Sequence, residues 1–183
     1  MKQGRILWMI AVPVWLIGQT LFAQVGLNLG SEYGMGMIAR IGNGPVALEA
    51  GAGVNILFVG WQIERYNGFG SSKETYLKFY FPGTFGGKLD LKLSGDPGKD
   101  RLGLKFGATY STVMKTGYGG GISYTSPRKS NTLLISGGVM IFPDADDELL
   151  KRLNEEENTF FTPNDVSAVL LTVQPFVSIS ILW

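Results

Sequence analysis

Alternation is the feature that most narrows what this chain can become. In segment after segment, large apolar side chains recur at every second position. Near the C-terminus, Val169, Leu171, Val173, Pro175, Val177, Ile179, Ile181 and Trp183 share one face. Thr172, Gln174, Ser178 and Ser180 share the other, with Leu170, Phe176 and Leu182 among them. Leu89, Leu91 and Leu93 alternate with Lys88, Asp90 and Lys92, and Leu102, Leu104, Phe106, Ala108 and Tyr110 alternate with Arg101, Gly103, Lys105, Gly107 and Thr109. A period of two is the signature of a β-strand, whose successive side chains point to opposite faces. The pattern predicts eight strands, over 25–41, 46–63, 74–81, 87–94, 101–113, 118–126, 132–142 and 166–183. Gly, Pro, Asn, Ser and Asp clusters separate them. Only 144–158 looks helical: Leu149, Leu150 and Leu153 form a small apolar stripe behind an acidic start.

Eight amphipathic strands suit an all-β, antiparallel up-and-down barrel with one short helix in its last long loop. Alternation alone does not say which face is inside. A soluble barrel hides its apolar face, whereas a membrane barrel turns it to lipid. An eight-stranded interior is only just wide enough for side chains to fill. The apolar face here, with four to six large side chains on several strands, is too bulky for such an interior. The other face carries Gly, Ser, Thr and a few charges, whose signs are expected to balance. Glu32, Glu49, Glu74 and Asp90 can meet Arg40, Lys78, Lys92, Arg101 and Lys105 there. A confined polar lumen needs such pairing, because unpaired buried charge is costly. These residues are the expected lumen charge network. A transmembrane barrel is therefore expected, and a secreted soluble lipocalin-like binding barrel is the alternative.

The chain starts with Lys2 and Arg5, an apolar run from Ile6 to Ile17 and a small-residue region ending near Ala23. That layout reads as a secretory signal peptide over 1–23, with the barrel domain over 24–183. The apolar run is about 12 residues, short of the ~20 that a membrane-spanning helix needs. Charged residues make up 17% of the chain, below the ~25% usual in soluble domains. Without Lys2 and Arg5, the 16 basic residues fall to 14, against 15 acidic ones. That balance gives no basic face for nucleic acid. There is no cysteine and no histidine, which removes disulfides, thiol chemistry, and most metal sites and general-base catalysis. A serine without a base is not an activated nucleophile, so no catalytic, cofactor or metal site is expected. The glycines around Tyr118 lack the lysine and following helix of a phosphate loop. The acids Asp144, Asp146, Asp147 and Glu148 lack the spacing of a calcium loop.

An amphipathic last strand ending on an aromatic residue, here Val177, Ile179, Ile181 and Trp183, resembles the assembly signal of bacterial outer-membrane barrels. With the strand count and the signal segment, the chain resembles the small OmpA/OmpX-type barrels. The resemblance implies a place in the outer membrane, contact with its lipid, and recognition of the last strand by the barrel-assembly machinery. It also implies a structural or surface-interaction role, with a small-solute pore through the polar lumen as the alternative. Members with lipid-modifying or proteolytic activity use a histidine that this chain lacks. With both termini in the periplasm, the seventh connection, 143–165, is expected outside the cell. At about 23 residues it exceeds the ~12–15 beyond which loops are usually functional. Asp144, Asp146, Asp147, Glu148, Leu149, Leu150 and Leu153 form its candidate interaction element. Its apolar stripe needs the barrel rim, lipid or an envelope or surface protein as a partner.

Overall fold

The computed structural model describes residues 23–42, 44–67, 70–96, 98–157, 162, 166–168 and 173–183. The first 22 residues of the expected signal segment, 158–161 and 163–165 of the last connection, and 169–172 of the expected last strand lie outside them. In chain order the strands are β1 (Ala23–Gly30), β2 (Met35–Ile41), β3 (Val46–Val54), β4 (Leu57–Asn67), β5 (Gly70–Tyr80) and β6 (Gly83–Lys92). Then come β7 (Arg101–Ser111), β8 (Lys115–Pro127), β9 (Thr132–Ile141), the helix α1 (Ala145–Glu157), β10 (Val166–Ala168) and β11 (Val173–Leu182). Eight strands close into an antiparallel barrel in the order β1-β11-β9-β8-β7-β6-β3-β2. Closure runs through β1 and β11, where Gly26 pairs Leu182 and Gly30 pairs Ser178. The remaining three form a small sheet in the order β10-β4-β5.

The wall is an eight-stranded antiparallel barrel, but its strands differ from the alternation reading. The expected strand 25–41 is a hairpin, broken at Ser31–Gly34, where Gly34 has φ 77°. Glycine reaches that left-handed conformation at no steric cost. The expected strand 46–63 divides into β3 of the wall and β4, and β4 pairs with β5, which holds most of the expected strand 74–81, as a hairpin arm outside the wall. This arm continues the β3–β6 pair without slippage. Val54 pairs Gly83 and Leu57 pairs Tyr80, so equal lengths of chain separate the two pairs on either side. Pro82 has no N–H to give, yet its carbonyl still accepts from the Asn55 amide at 2.9 Å. The ladder therefore passes the proline, and a segment read as a turn is part of one long arm.

The faces divide sharply. Leu27, Met37, Leu48, Phe85, Leu104, Ile122, Ile135 and Val177 point outward and are exposed. Asn28, Arg40, Glu49, Lys88, Asp90, Lys105, Ser123, Ser136 and Ser178 point inward and are buried. Inside the barrel lies a small apolar cluster of Tyr33, Ile38, Leu134 and Leu182. A larger cluster sits at the end opposite Ala23 and Trp183. There Leu57 and Val59 of the arm, Val113, Met114, Met140, Phe142 and Phe176 meet Ala145, Leu149 and Leu153 of α1.

Candidate functional site

The lumen is built from alternation: every second residue of eight strands projects into one narrow space, so its charges must find one another. Seven of them form an alternating chain. Lys88 Nζ lies 2.6 Å from Glu32 Oε1, and Lys105 Nζ lies 3.0 Å from the same oxygen. Lys105 also reaches Glu49 Oε2 at 2.6 Å. Arg40 spans Glu49 at 2.6 Å and Asp90 at 2.9 Å, and Lys92 closes on Asp90 at 2.6 Å. Each carboxylate is thus shared by two cations, and both ends of the chain are lysines. Every side chain in it is at most 3% exposed. Attraction between such charges is far stronger than in water, and leaving one unpaired would be costly.

Hydroxyls complete the network. Glu32 accepts from Ser178 at 2.6 Å and Ser136 at 2.7 Å, besides its two lysines. Asp90 accepts from Ser123 at 2.7 Å, and Lys92 donates to Thr125 at 2.6 Å. At the end near Ala23 and Trp183, the buried Arg101 donates to the Gly44 carbonyl at 3.0 Å.

At the opposite end the lumen is stoppered from within. The Ser31–Gly34 turn folds into the mouth and brings Glu32 to the lysines. It is held by Thr84 Oγ1 donating to the Tyr33 carbonyl and by the Asn28 amide donating to the Gly34 carbonyl at 2.8 Å. The Tyr33 ring is fully buried where Gly51 makes room for it: a Cβ on Gly51 would lie 2.5 Å from that ring. Gly117 does the same for the Phe142 ring. The Lys88 ammonium stands 4.1 Å from the Phe176 ring centre, a cation–π contact that covers its apolar side. The cavity between turn and cap measures about 10 Å³, room for roughly one water molecule.

Above the stopper lies the cap. The α1 stripe spends its apolar side chains on the barrel rim: Leu149 and Leu153 are buried in the mouth cluster and Leu150 is half-buried against it. Burial of one such leucine contributes about 1.5–3 kcal/mol. Acids at the first turn, Asp146, Asp147 and Glu148, suit the positive end of the helix dipole. The last residues, Glu155, Glu156 and Glu157, do not suit the negative end. Lys78 of the arm offsets them, at 2.9 Å from Glu156 and 2.5 Å from Glu157. Burial works against the Lys78 charge, but Glu157 and Glu156 outweigh it and raise its pKa above the ordinary lysine value. Arg152 donates to the Thr112 carbonyl at 2.7 Å, and Lys115 lies 3.4 Å from Glu148.

The structure brings together Glu32, Arg40, Glu49, Asp90, Lys92, Arg101 and Lys105 in the lumen. Two residues expected with them lie elsewhere. Lys78 clamps the cap, and Glu74 stands opposite Ile63 in the arm, beyond the barrel rim. Lys88 belongs to the network instead; its place in the Lys88, Asp90, Lys92 alternation was the signal. The lumen set is not balanced: five cations face three carboxylates among the described residues. Tyr33, which shares the outward parity of Leu27 and Leu29, is inside because the turn reverses into the mouth. Val177, Ile179, Ile181 and Trp183 lie exposed on the outer face, and the Trp183 and Val25 backbones bond each other at 2.9 Å. Asp144 starts α1 by accepting from the Glu148 amide at 3.0 Å, while Asp146 and Asp147 are exposed. Among the described residues no group of three His, Cys, Asp or Glu side chains is placed to hold a metal ion. Comparison with family models, curated proteins and solved structures found no match to this chain.

Proposed function

We propose that the chain is a non-enzymatic outer-membrane β-barrel that does not conduct and that presents its cap to the outside of the cell. One observation carries this reading: the barrel is inside-out relative to a soluble one. Outward side chains such as Leu27 (60%), Met37 (63%), Ile122 (64%) and Val177 (64%) are exposed, while the charges are buried. Such a surface is unstable in water and suited to lipid. The eight strands of the barrel wall, 7 to 13 residues long, suit a membrane crossing of ~9–11 tilted residues. The interlocked charge chain and the inserted turn support a stopper over a small-solute pore. A soluble lipocalin-like barrel would reverse the two faces.

With the termini in the periplasm, the arm, α1 and the Thr112–Met114 turn all sit outside. The exposed side of α1, with Asp144, Asp146, Asp147, Lys151 and Glu155, is then the surface open to an envelope or external protein. The barrel-assembly machinery is the proposed partner during insertion, through the β11 outer face. Fractionation of cells tests the location. The folded chain should stay with the outer membrane after carbonate washing and migrate faster on a gel before heating than after. Recovery as a soluble periplasmic protein would overturn the proposal.

A further inference from the structure

The outward apolar surface is not equally tall around the barrel. On β7 it runs from Leu102 to Tyr110 and on β9 from Leu133 to Ile141. At about 3.3 Å per residue and a tilt near 40°, each is roughly 20 Å high. On the β3–β6 flank the ladder continues into the arm. Its outward positions are apolar or glycine from Val46 to Phe58 and from Leu77 to Leu93. By the same reckoning the longer run is about 40 Å high. A lipid-facing band is ~25 Å tall. Ile56, Phe58, Leu77, Phe79 and Phe81, each 50–68% exposed, therefore stand above lipid on this flank. Phe58 and Phe79 already pack together there, with ring centres 4.8 Å apart.

Lower on the same flank a second feature appears. Ala39 pairs Ala50, Ala50 pairs Gly87, and Gly87 pairs Ala108, so four small outward residues cross β2, β3, β6 and β7 in one row. Met37, Phe85 and Tyr110 wall this trench on one side, and Ile41, Leu48 and Phe106 on the other. Small residues let two membrane surfaces approach closely.

We propose that this flank is the interface of a twofold-symmetric dimer of the chain, a step that rests on the outer-membrane reading above. The arm must be covered at a height where lipid chains do not reach. A second copy related by an axis along the membrane normal brings an equally tall apolar arm to the same height, and an isologous contact needs that self-matching. No charged side chain occupies the described outward positions of the flank, from Val46 to Phe58 and from Leu77 to Leu93. Val54, Ile56, Phe58, Leu77, Phe79, Phe81 and Phe85 each leave on the order of 100 Å² open. Together they approach the ~800 Å² per partner of a stable interface.

The chain has no cysteine, so single introduced cysteines report contacts without background. F79C and F81C on the arm, and V177C and I135C on the opposite flank, would be oxidised in outer membranes and run on non-reducing gels. The arm variants should form a species of twice the chain mass, and the opposite-flank variants should not. In detergent, the double variant Phe58→Ser with Phe79→Ser should shift the particle from dimer to monomer, at least tenfold. Arm cysteines that stay monomeric in a heat-modifiable, membrane-inserted barrel would overturn the dimer while leaving the membrane reading intact. So would a crosslink to a protein of different mass. Soluble fractionation would overturn both.

Discussion

Lys105 is the centre of the lumen chain, and its replacement by methionine gives the sharpest energetic prediction. The ammonium bridges Glu32 at 3.0 Å and Glu49 at 2.6 Å, all three side chains being 0% exposed. Removing it leaves two buried carboxylates, each short of one of its two cations. Breaking a buried pair costs about 3–5 kcal/mol. Glu32 keeps Lys88, Ser136 and Ser178, and Glu49 keeps Arg40, which places Lys105→Met near the lower end. A loss of ~3 kcal/mol is somewhat over a hundredfold in the unfolding equilibrium. The neighbouring Leu104 points outward, so Leu104→Ile should cost under ~1.5 kcal/mol. Adding Glu49→Gln to Lys105→Met should recover at least 1 kcal/mol, because it removes one of the stranded charges. Urea unfolding in detergent micelles, read by the gel shift between folded and unfolded chain, measures all three. If Lys105→Met and Leu104→Ile cost the same within ~0.5 kcal/mol, the interior is wet and open, and the sealed lumen is wrong.

Leu149→Ala or Leu153→Ala should cost about 2–5 kcal/mol of cap stability and expose 143–165 to protease while the barrel core stays resistant. Unchanged protection would mean that the helix is not held by its apolar stripe. Replacing Asp146–Glu157 with a short Gly-Ser linker should leave a folded, heat-modifiable barrel but reduce surface binding; failure to fold would make the cap structural. Gly51→Leu should destabilise by ~1–3 kcal/mol through the Tyr33 ring, and Tyr33→Ala should restore part of that loss, as judged by urea midpoints. The raised Lys78 pKa makes its contribution to the cap fully present below pH ~10.5, the unfolded value, and lost as pH rises through the higher folded value. A spin label at Lys151 should therefore gain mobility only above that pH, and Lys78→Met should abolish the step.

Much of the architecture was legible because period-two patterning is a direct readout of the two faces. The outward row on β7 and the inward Asp90, Lys92 and Lys105 follow from parity alone. The turns were hidden for the same reason. Ser31–Gly34 spans four residues, so Leu27 and Leu29 before it keep the parity of Met35 and Met37 after it. The Asn55–Ile56 break likewise preserves the even-numbered outward positions from Leu48 to Phe58. Pro82 misled in the opposite sense, since its carbonyl keeps the ladder going where its nitrogen cannot. Lys78 and Glu74 carry inward parity, but parity cannot tell a barrel strand from an arm that outruns the rim. The pairing of Glu32 with Lys88 and Lys105 was illegible because a turn, not a strand, delivers Glu32. The α1 stripe of Leu149 and Leu153 was visible as an apolar face. Its partner, assembled from the arm, the Val113–Met114 turn and β9, exists only in three dimensions.

Lipid contact of the outer face is the central claim, and nitroxide accessibility measures it residue by residue. Single labels at Leu104, Phe106, Ile135 and Val177 on the outer face would be compared with a label at Ser130 in an exposed turn, in protein reconstituted into bilayers. The four outward labels should collide readily with apolar oxygen and rarely with a water-soluble nickel chelate, and Ser130 should show the reverse. If all five sites meet the chelate equally while the barrel is folded, the apolar face is not in lipid, and the outer-membrane assignment is contradicted.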